Sequence, residues 1–291
     1  MAEWISLPVR LFWRFLDNHG IALASNIAFS LLLSLFPFLL LVTGFTILAG
    51  GDQLGPVVQH ALSILLPDAI ADILQPEVDA VVSASSGRLL SVSALIFLVT
   101  LTGAVESLRE GLNRAYGYYE RRSIWSRRAG GLIAILGAGL VLVAVSAGLF
   151  FAPIIWNLAL PHAQWLENFE FTFDIIRLGI ALPMLLAFLV ASHRWLPMRV
   201  IEWRDLWPGV VVTLVLWYLA GQGYNYYLSN FASYSRVYAG LAGVVTTLIF
   251  LHIISSIFLI GAEVNALRMR LLRMKQNRIS RAELEHPGST N

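Results

Sequence analysis

ALASNIAFSLLLSLFPFLLLVTGFTIL, residues 22–48, carries 27 consecutive positions without a charged side chain. A helix needs about 20 apolar residues to cross the hydrocarbon core of a bilayer, so this stretch is long enough to span. It continues well past the apolar region of a secretory signal, and Arg10 and Arg14 interrupt the segment before it, so a cleaved signal is not expected here. Five further apolar blocks follow, near 89–105, 130–151, 172–192, 207–228 and 240–262. The fourth holds Pro183 and reaches spanning length only by taking in Asp174 and Arg177. Each run is continuous rather than alternating, which argues against a β-barrel. Only a helix satisfies its own backbone hydrogen bonds in hydrocarbon. The expectation is an all-α polytopic bundle of six transmembrane helices in one domain, residues 1–282, with a disordered tail over 283–291.

Composition points the same way. Of 291 residues, 57% are hydrophobic and 13% charged, with a mean hydropathy of +0.71. An average soluble domain carries roughly a quarter charged residues, so this chain has too little charge to solvate a globule of its size. It has no cysteine, which excludes disulfides and thiolate chemistry.

Orientation follows from the arginines. With six spans, 17 of the 20 basic residues fall on one side, and only Arg88, Arg177 and Arg236 on the other. Basic loops stay in the cytoplasm, so both termini are expected there. The opposite side is acidic, with Asp52, Asp68, Asp72, Glu77 and Asp79 in a long first outer segment. Pro67-Asp68 and Pro76-Glu77 suit the first turns of two short amphipathic helices. Residues 4–16 place Leu7, Leu11, Phe12 and Phe15 on one face. That pattern fits a helix in the cytoplasmic interface or an extension of span one packed on the bundle.

Polar residues inside hydrocarbon point toward function, because lipid-facing ones are costly. Asn26, Ser30, Ser34 and Pro37 form one stripe of span one, read either as a cavity wall with a hinge or as close-packing contacts. Tyr218, Gln222 and Asn225 form a stripe in span five, and His252 and Ser256 one in span six that ends on Glu263. These stripes define a candidate cavity between spans one, five and six. Glu106, Arg109, Asn113, Arg114, Glu263 and Asn265 are ion-pair or gate candidates at the basic end, with Arg109 or Arg114 the expected partner of Glu263. Glu106 to Arg128 reads as a helical continuation of span two whose arginines either serve only as the topology signal or suit anionic headgroups. Glycines 130, 131, 137 and 139 in span three suit close packing, either within the bundle or against a second copy. The six histidines are scattered without metal-ligand spacing, and there is no phosphate-binding loop. The residues therefore point to no catalytic centre, no cofactor, no metal and no nucleic-acid partner.

Four segments, in order, resemble the YihY/BrkB family of bacterial inner-membrane proteins. They are Ala24-Ser25-Asn26 through Ser34-Leu35-Phe36-Pro37; Leu112-Asn113-Arg114-Ala115-Tyr116-Gly117; Trp195-Leu196-Pro197 through Pro208-Gly209; and Tyr234 to Tyr238 with Gly261-Ala262-Glu263-Val264-Asn265-Ala266. Phe250, His252 and Ala239 stand where that family often has Trp, Tyr and Gly. The resemblance implies a six-helix, multi-pass protein of the bacterial inner membrane. That family has carried the labels of a ribonuclease and of a virulence or serum-resistance factor; clustered carboxylates or histidines for a nuclease are absent from this sequence. Two functions remain. One is a transporter or lipid-handling protein with membrane lipids as partners; the other is a non-transporting protein that docks an envelope partner through its outer loop.

Overall fold

The computed structural model describes residues 2–48, 87–146, 170–231 and 239–285. The expected outer-loop helices, and 286–291 of the expected tail, lie outside these. Seven helices account for nearly all of the described residues, and no strand occurs among them: α1 Ala2–Asp17, α2 Gly20–Leu48, α3 Gly87–Tyr116, α4 Ile124–Ser146, α5 Glu170–Trp195, α6 Trp203–Phe231 and α7 Ala239–Glu285. Within them, Ser91–Tyr116, Ile124–Val141, Trp203–Tyr227 and Gly243–Asn277 are each long and apolar enough to cross a bilayer. The bent pair α1–α2 makes a fifth candidate, and α5 contributes a shorter apolar stretch, Ala181–Trp195.

The outer surface is apolar. Leu95 and Val99 on α3, Ile133, Leu136 and Leu140 on α4, and Val211, Val215 and Leu219 on α6 are all exposed at helical spacing. Soluble monomers rarely expose contiguous apolar patches beyond a few hundred Å², whereas hydrocarbon is the solvent such faces require. Trp125, Trp195, Trp203 and Trp207 stand exposed near the arginine-rich ends of α4, α5 and α6, as the aromatic belt of a membrane interface does. The Arg194 guanidinium lies 4.7 Å from the Trp203 ring centroid, a cation–π contact at that level. The chain is a polytopic helical membrane protein.

Helix α1 is not a straight extension of span one. The axes of Leu7–Asp17 and Gly20–Leu35 meet at 65°. His19 turns the corner at φ 58°, a left-handed conformation few non-glycine residues adopt. Gly20 follows because Phe15 packs where a Cβ would stand. Val9, Phe12 and Trp13 face outward, the arrangement of a helix lying along an interface.

Helices α2 and α3 pack closely, and the span-one polar stripe lies between them. Asn26 Nδ2 donates to Ser107 Oγ at 2.6 Å. Ser30 is buried, with its Oγ 3.1 Å from where a Cβ on Gly103 would be. Ser34 is buried and its hydroxyl donates to the Leu31 carbonyl at 2.7 Å. Pro37 is buried within a helix that continues to Leu48. Small polar residues here let two backbones approach.

Helix α3 runs past the hydrocarbon-length segment and stops at Tyr116. Gly117 adopts φ 76°; its N–H donates to the Arg114 carbonyl at 3.1 Å, and the Tyr118 N–H donates to the Asn113 carbonyl at 2.7 Å. These two bonds form a Schellman cap. The continuation expected as far as Arg128 therefore ends twelve residues early, at Tyr116, because glycine offers the left-handed exit that other residues resist by about 1–2 kcal/mol.

Candidate functional site

Two half-open chambers adjoin in the bundle. The first is an apolar cavity of about 380 Å³. Its walls come from α2 to α7 and include Ile27, Leu31, Val105, Ala138, Phe188 and Phe258. Three polar side chains stand at its edge, and two of them are engaged: Trp217 Nε1 donates to the Ile254 carbonyl at 2.9 Å, and Ser255 Oγ to the Leu251 carbonyl at 2.7 Å, which leaves Ser192. Water needs two to four polar partners in a buried site, which these walls do not supply.

The second chamber is a polar pocket of about 390 Å³ between α2, α3 and the start of α4, bordered by Asn26, Ser107, Glu106, Arg109, Asn113 and Arg127 among others. Glu106 is held by two arginines, accepting from Arg109 Nη1 at 2.6 Å and Arg127 Nη2 at 2.7 Å. Asn113 is buried and links three segments: its Oδ1 accepts from the Met198 N–H at 2.7 Å, and its Nδ2 donates to Glu120 at 3.0 Å. Glu120 also accepts from the Arg122 side chain at 2.8 and 2.7 Å, and Arg122 in turn donates to the Leu196 carbonyl at 3.0 Å. The α3–α4 loop is thereby tied to the α5–α6 connection.

Hydrogen bonds from the Arg122 side chain push the Glu120 carboxyl down to about 2. A carboxyl depressed in the folded state stabilises fully above its unfolded value, 4.5. That contribution is lost as pH falls from there towards 2. Glu120→Gln should therefore remove about 2 kcal/mol at neutral pH and flatten the acid limb of stability. Thermal unfolding in detergent between pH 7 and 3 reads this directly; identical acid limbs for the two proteins would refute it.

The residues singled out in the sequence are distributed unevenly over these chambers. Asn26 borders the polar pocket, together with Glu106, Arg109 and Asn113. Tyr218, Gln222, Asn225, His252 and Ser256 do not line the apolar cavity, whose walls on those helices are Trp217, Ile254, Ser255 and Phe258. Tyr218 is 67% exposed, and Gln222 and Asn225 are also exposed. His252 is half-buried, with Nδ1 3.3 Å from Ser25 Oγ. The expected cavity between spans one, five and six is thus rotated by one residue on α6 and α7 and extended to α3, α4 and α5. The reason is that polar side chains serve helix contacts and surfaces, while the interior void is left to apolar ones.

Glu263 also has a different partner from the one expected. It pairs with Arg14, accepting from Nε at 2.9 Å and Nη2 at 2.7 Å, and with Asn18 through its other oxygen. Arg109 is turned instead toward Glu106 and the Arg127 carbonyl, and Arg114 pairs with Glu110 one turn back. Asn265 accepts from the Gly209 N–H at 2.6 Å and donates to Tyr116 Oη at 3.3 Å, which joins α3, α6 and α7. Sequence reasoning missed Arg14, Asn18, Ser107, Glu120 and Arg127 as members of these sites. Their one legible signal was position, since all but Ser107 lie within a turn or two of a span end at the basic side.

A polytopic bundle with an apolar cavity above a charged, internally paired pocket defines the class. The sequence profile of the family described as virulence factor BrkB matches residues 11–283. The chain belongs to that family. It is similar to YfkH of Bacillus subtilis, a protein named ribonuclease-like, at 27% identity over 90% of this chain and 95% of that one. It is similar to a membrane protein of Stenotrophomonas maltophilia at 26% identity over 91% of this chain, which spans only 61% of that relative's length. A membrane protein of Cronobacter sakazakii is 26% identical over 88% of this chain and 86% of its own. No solved structure matches.

Proposed function

We propose that this protein handles a lipid or another amphiphile within the bilayer, holding its hydrocarbon chain in the apolar cavity. The cavity carries the reading. The space is about 380 Å³, lined almost wholly by apolar side chains and open on one side to the bilayer, so hydrocarbon can enter it. Small-molecule sites begin at roughly 300 Å³, so the volume is adequate for a ligand. The lining refuses water, no described side chain fills the space, and the surrounding solvent consists of acyl chains. An acyl chain is the occupant that fits these conditions. The reading is non-enzymatic and needs no cofactor; among the described residues, no three His, Asp or Glu side chains converge as metal ligands would.

Filling the cavity tests this. Ala138→Phe projects an aromatic ring into the space from α4 and should reduce binding or translocation of a fluorescent-chain phospholipid in reconstituted vesicles by about tenfold or more. The protein should remain folded, because the added volume has a void to enter. Unchanged lipid handling by a folded variant would sink the proposal.

The orientation that accompanies this reading places both termini and the arginine-rich loops in the cytoplasm, with six spans. Reporter fusions at Gly87 and after Asn291 should be active outside and inside respectively; the opposite pattern would overturn it.

A further inference from the structure

Arg109 is 2% exposed, the largest of the fully buried side chains. Its Nη1 and Nη2 are engaged by Glu106 and the Arg127 carbonyl, while its Nε–H is buried without a partner. Arg127 repeats the pattern, with Nη2 on Glu106 and a buried Nε–H unmatched. A buried donor left unpaired is costly, and more so on a charged group. Both arginines border one polar pocket and set positive charge at its edge.

The pocket is not a simple anion trap. Glu106 already neutralises part of the arginine charge, and Glu110 and Glu120 border the same space. An inorganic anion would meet carboxylates across the pocket, and a bare cation would meet the arginines. A ligand carrying both signs a few bonds apart meets neither conflict.

We infer that the polar pocket binds a zwitterionic phosphodiester, with its phosphate at Arg109 and Arg127 and its ammonium toward Glu110 and Glu120. This inference rests on the reading of the apolar cavity as a chain site, because the chambers share a wall. Val105 lines the apolar cavity and the next residue, Glu106, the polar pocket. Arg109 Nη2 and Val105 Cγ1 each lie 3.8 Å from the point where a Cβ on Gly131 would stand. Headgroup and chain of one amphiphile would meet at that seam. The same phosphate–ammonium chemistry occurs in a zwitterionic phospholipid and in the water-soluble headgroup freed of its chains.

Titration calorimetry on the purified full chain in non-ionic detergent separates these cases. The probes are dihexanoyl phosphatidylethanolamine, dihexanoyl phosphatidylglycerol, glycerophosphoethanolamine and inorganic phosphate. Phosphatidylethanolamine should bind about tenfold more tightly than phosphatidylglycerol. Glu110→Gln should bring the two to parity, and Arg127→Gln should weaken both. These side chains are 44% and 36% exposed, so neither change threatens folding as loss of Arg109 would. Glycerophosphoethanolamine binding as tightly as the lipid supports the pocket and assigns it to a soluble ligand. Much weaker binding supports it and assigns it to the lipid. Equal binding of phosphatidylethanolamine and phosphatidylglycerol to the unaltered protein, or inorganic phosphate binding as well as either, overturns the inference. If Ala138→Phe leaves lipid handling intact while glycerophosphoethanolamine still binds through Glu110 and Arg127, the chain reading fails and the pocket survives.

Discussion

Glu263→Ala should lower stability by about 3 kcal/mol and free the N-terminal helix from the bundle. Glu263 is buried to 2% exposure on α7. Both its oxygens are occupied from the α1–α2 corner, one by the Arg14 guanidinium and the other by Asn18. Arg14 Nη2 also reaches the Ala115 carbonyl at 3.2 Å, in the last turn of α3. Arg14 thus fastens α1 to two other helices, to α7 through the Glu263 carboxylate and to α3 through the Ala115 carbonyl. Removing that carboxylate strands a part-buried guanidinium, and breaking one side of such a pair costs far more than the pair contributes on balance. Glu263→Gln keeps an acceptor and should cost about half as much. Hydrogen exchange over residues 2–17 should accelerate in both variants, and thermal unfolding in detergent should show the loss. A double variant with Arg14→Ala should cost less than the two single changes summed. Unaltered exchange in α1 together with unaltered unfolding would show that the corner is held by Phe15 packing alone.

Gly209→Val should be at least as damaging, costing about 3 kcal/mol or more or abolishing folded protein. At the crossing of α6 and α7 the two backbones touch. A Cβ on Gly209 would be driven into the Gly261 carbonyl oxygen and the Asn265 carboxamide. A Cβ on Gly261 would fall on Thr213 Oγ1 and lie 2.9 Å from the Gly209 carbonyl oxygen. Backbone cannot swing aside as the end of a long side chain can. The helices would have to part, taking with them the 2.6 Å bond from the Gly209 N–H to Asn265. Gly137 and Gly139 give the contrast, since nothing stands within 4 Å of a Cβ at either. Gly137→Ala should be neutral or slightly stabilising through helix propensity. Yield of monodisperse protein and unfolding temperature in detergent measure both. A Gly209 variant as stable as the Gly137 one would refute the close crossing.

The segments that resemble the family acquire physical reasons in the fold. Leu112 to Gly117 holds four buried side chains in Leu112, Asn113, Ala115 and Tyr116, then the left-handed exit at Gly117. Gly261 to Ala266 supplies the close approach at Gly261, the latch at Glu263 and the three-helix link at Asn265. The stripe that begins at Asn26 was legible as a stripe, but its partner was not. Whether it faced a cavity or another helix depended on Ser107 and Gly103, residues about eighty positions away.

Hydrophobic run length and the absence of charge determined by themselves that this chain is a helical membrane protein, because a helix closes its hydrogen bonds locally and hydrocarbon admits little else. Apolar length also located the helices, though not their ends: α3 and α7 continue well into polar sequence, where hydropathy no longer reports on helix. Tertiary structure alone decided which face of each helix turns inward and which arginine meets which carboxylate. Six helices of near-uniform apolarity carry little rotational information around their axes, and an arginine in a crowd of arginines finds its partner by proximity. Glu263 met Arg14 rather than Arg109 for that reason, and the cavity opened beside Trp217 and Ser255 rather than beside the polar neighbours that had marked it.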